Sequence, residues 1–237
     1  MNPAILLLRD WRGGELGVLL AALLLAVSVV VGISAFVSSL QSALVSESLR
    51  FLAADRVVTS GQAISEEWTS QAELEGLTVA QTLSFPSMAV TESDNLYLAS
   101  IMAVSSGYPL RGELLSSATP YGEVRTDTGI PNPGEAYLAP RLFALLEVQP
   151  GDRVWVGDKA LVISGAVRGQ PDTASAAFGY GPRLLMNLAD IPATGVIQPG
   201  SRVTWRVLLA GEGSALDAFT QWVTPQLTQG QRLLGVE

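Results

Sequence analysis

The longest apolar run comes first. Leu16 to Val37 reads LGVLLAALLLAVSVVVGISAFV and holds no charged residue. As a helix rising 1.5 Å per residue it would be roughly 33 Å long, against a hydrocarbon core of about 30 Å. A helix buried in a soluble core seldom stays apolar on every face over such a length. A cleaved signal peptide has a basic start and an apolar core of about 7–15 residues. Here the run is longer, and Asp10, Gly13, Gly14 and Glu15 stand where the basic start would be. The pattern therefore predicts a retained membrane helix over 16–37.

Before it, NPAILLLRDWR reads as a short amphipathic helix within 1–15. Arg9, Trp11 and Arg12 are its expected interfacial anchors, with apolar bodies in the lipid and charges at the headgroups. After the span the helical spacing continues through Leu44, Leu49 and Leu52 to about Ala54. This predicts a stalk over 38–54. Arg9 and Arg12 before the span balance Arg50 and Arg56 after it, so the positive-inside rule leaves the orientation open.

From residue 55 the rhythm changes to that of an α+β domain. Residues 55–60 read as a strand. Ser65 is an expected N-cap, with Glu66 and Glu67 in the first turn of a helix that ends at Gly76. Residues 77–91 are strand-like, with a break or an edge expected at Pro86. Glu92 to Asn95 form a turn, and 96–105 a further strand. Short segments follow: a strand at 135–138, a helix at 140–146, and two strands at 153–156 and 161–167 joined by a turn at Gly157-Asp158-Lys159. Residues 169–182 are rich in Gly, Ala, Ser and Pro, a long loop for a compact domain. Gln170, Phe178 and Tyr180 are its candidate partner contacts. Residues 183–187 and 203–210 read as strands. Ser214 is expected to cap a helix with the apolar stripe Leu216, Phe219 and Val223. The first and last β/α portions could then pack together, with a Gly/Pro-rich β segment between them.

Composition narrows the chemistry. The chain is 48% hydrophobic and 15% charged, against about 25% charged in soluble domains, and the span accounts for part of the difference. Net charge is −8. The charges of the first residues cancel, so the domain is acidic, which disfavours nucleic acid and anionic lipid surfaces. There is no cysteine and no histidine. Zinc sites and Ser- or Cys-based hydrolysis depend on those residues and are nearly closed. Lys159 is the only lysine. Placed in an exposed turn, it would make a poor base for a serine. Glu66-Glu67, and Asp152 with Asp158, are better read as a helix start and as turns than as acid–base pairs. No P-loop pattern is present. The residues assign no catalytic, cofactor or metal site, and the chain is read as no enzyme.

Four stretches, in order, resemble an ABC transporter permease of the MacB/LolC/FtsX type, in its YbbP-like branch. They are RDWRGGEL at 9–16, FLAADRVVTSGQAISEEW at 51–68, YLAPRLFALLEVQPGDRVWVG at 137–157 and GPRLLMNLADIPATGVIQPGSRVTWRVLLAG at 181–211. The resemblance implies a bacterial inner-membrane protein with a cytoplasmic N-terminus and a MacB-like periplasmic domain. That domain would hold a porter-like α/β subdomain, 55–105 plus 183–230, and an inserted β-rich subdomain, 106–182. It further implies that ATP is bound by a separate ABC ATPase and that the stalk transmits its motion. The cargo would be hydrophobic or lipid-like, and a periplasmic lysophospholipase/thioesterase-type esterase would be a partner. Such permeases have more spans than the one read here, so this sequence would be the N-terminal part of a larger one. The competing expectation is a single-span, membrane-anchored binding or scaffold domain.

Overall fold

The computed structural model describes residues 22–34, 53–126, 129–171, 181–198 and 200–235. The chain divides into two compact units, Met1–Glu47 and Ser48–Glu237. In the first unit, residues 22–34 form a helix (α1) whose apolar side chains, among them Leu23, Leu25, Val30 and Ile33, are all exposed. Among the described residues no helix is long and apolar enough to cross a membrane. The rest of the expected span 16–37 lies outside the described residues, as do the anchors Arg9, Trp11 and Arg12 and the stalk positions Leu44, Leu49 and Leu52.

The second unit begins with a correction. The stalk helix was expected to reach Ala54, but Ala53 has φ +58°, and Ala53 and Ala54 are completely buried in a turn. The chain then forms β1 (Arg56–Ser60), α2 (Glu66–Leu74), β2 (Thr78–Thr91), β3 (Leu96–Val104) and β4 (Leu115–Ser117). Next come β5 (Glu135–Leu138), α3 (Pro140–Leu146), β6 (Arg153–Val156), β7 (Lys159–Gly169) and β8 (Arg183–Asn187). A 3-10 turn leads into α4 (Ile191–Thr194), followed by β9 (Thr204–Ala210), α5 (Gly213–Val223) and β10 (Arg232–Gly235).

Sheet order is β10-β1-β9-β2-β3-β8-β5-β7-β4, and β6 pairs with both β7 and β2. That second pairing closes a ring. Following hydrogen-bonded neighbours, β2-β3-β8-β5-β7-β6 returns to β2 and forms a barrel. β2 serves both parts. Residues 78–84 pair with β9 in the open sheet, and residues 89–91 pair with β6 in the barrel. Pro86 sits between these two pairings, where β2 has a partner on one side only, so its missing N–H costs no ladder bond on the open side. The strand is continuous, not broken, at the proline.

Alternation along the strands sorts the core. Leu83, Phe85, Ile101, Leu138, Leu161, Ile163, Leu184 and Met186 fill the barrel, joined by Leu142, Phe143 and Leu146 of α3. In the open sheet, Val58, Val207 and Leu209 pack against Trp68 and Ala72 of α2 and the predicted stripe Leu216, Phe219 and Val223 of α5. On the opposite face, Val57, Leu208, Met102, Leu185 and Tyr137 lie with Tyr108 and Leu114. β9 lies between β1 and β2, so the first and last β/α portions do pack together. The strands of 106–182 hydrogen-bond directly to those outside that range, through β5–β8 and β6–β2.

Local signals held unevenly. Ser65 caps α2, its Oγ accepting from the Glu67 N–H at 3.3 Å. Ser65→Ala is expected to cost about 1 kcal/mol, read from urea unfolding. Ser214 is not a cap. α5 starts two residues earlier than a Ser214 cap implies, at Gly213, with Glu212 as N-cap and no side-chain cap bond. Lys159 is not in the turn but opens β7 opposite Val156. The edge strands β4 and β10 are too short to show a period of their own.

Candidate functional site at the root of the N-terminal segment

A polar constellation surrounds Asp55, where the chain turns into β1. Ala53 and Ala54 are small enough to be buried there, and the left-handed backbone at Ala53 redirects the chain. The Asp55 N–H donates to the Leu209 carbonyl at 2.9 Å, which docks it onto β9. Its carboxylate accepts a two-pronged bond from Arg111, Nε to Oδ1 at 2.8 Å and Nη2 to Oδ2 at 2.6 Å. The Gly211 N–H adds a third bond to Oδ2 at 3.1 Å. The Arg111 N–H in turn donates to the Ala53 carbonyl at 2.9 Å. One carboxylate thus ties the root to the end of β9 and to the segment after β3. The hydrogen bond to Asp55 holds the Arg111 guanidinium above its ordinary pKa, against the opposing effect of its burial. Paired, planar and always charged, this arrangement suits mechanical fixation and supplies no general base.

β10 runs antiparallel to β1 beside this root, with Gly235 opposite Arg56. The chain therefore enters at Asp55 and reaches its last described residue at neighbouring positions on one edge of the sheet. Arg56 also reaches Asp217 of α5 at 3.4 Å.

The other candidates separate. Lys159 Nζ lies 3.2 Å from Asp190 Oδ1, and the buried Asp190 also accepts from the Gly134 N–H at 2.7 Å. This clamps the start of β7 to the turn before α4. The lysine, at the start of β7, is paired with a carboxylate. Gln170 lies on the outer face of β3, its Nε2 3.5 Å from Met102 Sδ, which also accepts from Arg183 Nη1 at 2.8 Å. Phe178 and Tyr180 lie outside the described residues. Asp152 accepts from the Gln149 N–H at 2.7 Å, as a turn residue does. Among the described residues no group of three or more His, Cys, Asp or Glu could hold a metal ion. Asp55 and Arg111 were not singled out in the sequence. They are far apart along the chain, and neither sits in a local pattern that marks it.

An uncharacterized ABC transporter permease of Escherichia coli (strain K12), YbbP, is 38% identical over 231 residues, covering 97% of this chain and 27% of its own length. Over nearly its whole length the chain is similar to this ABC transporter permease. It spans about a quarter of that relative's length. No protein-family model matches the sequence. Among solved structures, the periplasmic region of MacB from Actinobacillus actinomycetemcomitans is similar with TM-score 0.49 and 12% identity, over 79% of this chain and 91% of that one. The extracellular domain of the noncanonic ABC-type transporter YknZ from Gram-positive bacteria gives 0.46 and 11%, over 76% and 100%. The similarity to a permease rests on the sequence match.

Proposed function

We propose that this chain is the N-terminal part of an ABC transporter permease of the bacterial inner membrane, with its N-terminus cytoplasmic and its second unit periplasmic. The observation that carries the reading is the 38% identity to a permease over 97% of the chain. The first unit supports it: α1 is apolar on all sides and exposed on all sides, a pattern suited to lipid and not to water. An ABC ATPase is the partner the reading requires, and it would bind ATP outside this chain. The periplasmic unit would take up motion from the stalk at Asp55, which hydrogen-bonds to the end of β9 and to the segment after β3. The cargo proposed is a hydrophobic or lipid-like compound, with membrane lipid as its source. A lysophospholipase/thioesterase-type esterase is the proposed periplasmic partner, and Gln170, Phe178 and Tyr180 are its proposed contacts. The chain itself would catalyse nothing.

Cysteine crosslinking tests the coupling in the intact permease with its ATPase. Cysteines at Leu44 and Leu49 are expected to crosslink to another stalk with yields that change several-fold between ATP-bound and nucleotide-free states. Identical yields in both states would leave the domain as an anchored scaffold.

A further inference from the structure

Among the described residues, the outer wall of the barrel is covered on one side and bare on the other. Where Met102, Tyr137, Val167 and Leu185 point outward, Tyr108 and Leu114 pack over them. Among the described residues no such cover lies over the wall formed by β7, β6, β2 and β3. There the register sets Trp155 opposite Val90 and Val90 opposite Leu96, a row across three strands. Met88 stands opposite Leu98 in the next row, and Val162 lies on the adjoining strand, opposite Arg153. Their neighbours Ala89, Ala99, Val154, Val156 and Leu161 point into the barrel, so alternation turns these side chains outward. Leu96 is 61% exposed, Val162 41%, and Met88 and Leu98 39% each. Strand alternation ordinarily puts polar residues on a solvated outer face. A contiguous apolar surface with a tryptophan in it marks an interaction site.

The rim chooses the occupant. Exposed Glu92 and Asp94 edge the patch at the β2–β3 turn, and exposed Asp152 and Asp158 flank the two ends of β6. Arg153 stands against them, while the Lys159 ammonium is taken by Asp190. A second copy of this chain would bring an acidic rim onto an acidic rim, and an anionic lipid surface would be repelled.

We infer that this wall of the barrel is the docking surface for a partner protein whose contact face is apolar and ringed by lysine or arginine. The inference stands on the patch and its rim and is independent of the transport reading.

Photocrosslinking in native membranes tests it, with p-benzoylphenylalanine placed in the full chain at Leu96 or Leu98. Leu74, 81% exposed on α2, is the control position. A protein adduct is expected at 96 and 98 in several-fold excess over 74, mapping to a basic-rimmed apolar face of the adduct partner. Combining Glu92→Gln with Asp94→Asn should cut its yield several-fold, with an unchanged circular dichroism spectrum. Adducts to lipid, to a second copy or to an acidic surface would overturn the inference, as would no excess over Leu74. Unchanged crosslinks at Leu44 and Leu49 alongside a lost adduct would separate this docking from the coupling proposed above.

Discussion

Gly157→Ala should destabilise the second unit by about 3–4 kcal/mol, seen as a lower urea midpoint at unchanged slope. Two costs combine. Gly157 has φ +58°, a left-handed conformation that costs an L-residue about 1–2 kcal/mol. A Cβ there would also fall on the Thr194 carbonyl oxygen and on Cγ2 of Val196. The carbonyl is not free to withdraw, because it accepts the Asp158 N–H at 2.9 Å, and Thr194 is buried with its Oγ1 bonded to the Ile191 carbonyl. Such overpacking typically costs a further ~1–3 kcal/mol. Gly151→Ala separates the two contributions. It has φ +99° with nothing near the added Cβ, so it carries strain without a clash and should cost less than half as much. The larger effect is structural as well as local. The Gly157 turn joins β6 to β7, and β6 is the strand that closes the barrel.

Asp55→Ala should cost about 2–3 kcal/mol, because it removes charge-assisted bonds from a largely buried carboxylate and leaves the Gly211 N–H and the Arg111 fork without their acceptor. Arg111→Ala should cost less, since the Arg111 side chain is 45% exposed and that of Asp55 only 15%. In a double-mutant cycle the pair should couple by about 1 kcal/mol or more, as contacting charged groups do. A coupling near zero would make the fork a surface ion pair of no consequence. The pH dependence has a defined sign. The folded Arg111 pKa is raised, so its contribution is fully present below the ordinary arginine value and is lost only as pH rises through the raised one. The arginine therefore makes the increment no smaller at pH 9 than at pH 6. In the intact permease the same variant tests the proposed coupling, since a loosened root should diminish the nucleotide-dependent change proposed at Leu44 and Leu49.

The elements whose evidence is local were legible. α2 showed its cap, its acidic first turn and its terminal glycine. α5 showed its stripe, and Leu216, Phe219 and Val223 are the residues it buries. The 153–156 strand and the turn after it were marked by alternation between glycine-containing turns. Lys159 was placed one position too far into that turn, because sequence shows a Gly-Asp-Lys turn signal but not which residue pairs first. Ser214 has the residue type of a cap, yet the backbone enters the helix at Gly213 with no side-chain bond to reward a serine. β10 could not be read because RLLG is no longer than a single helical turn and becomes a strand only by pairing with β1.

The sequence by itself determined that the chain has one long apolar segment, an acidic α+β domain, and no cysteine or histidine. These follow from composition and from periods of a few residues, which any stretch of chain displays unaided. Four stretches in order also carried the family resemblance. Only the tertiary structure decided that β6 closes a barrel, that β9 enters between β1 and β2, that Asp55 meets Arg111, and that Met88, Val90, Leu96, Leu98 and Trp155 share one outer wall. Each of these is a long-range pairing. Its free energy comes from hydrogen bonds and burial between residues that carry no mark of one another until the chain has folded.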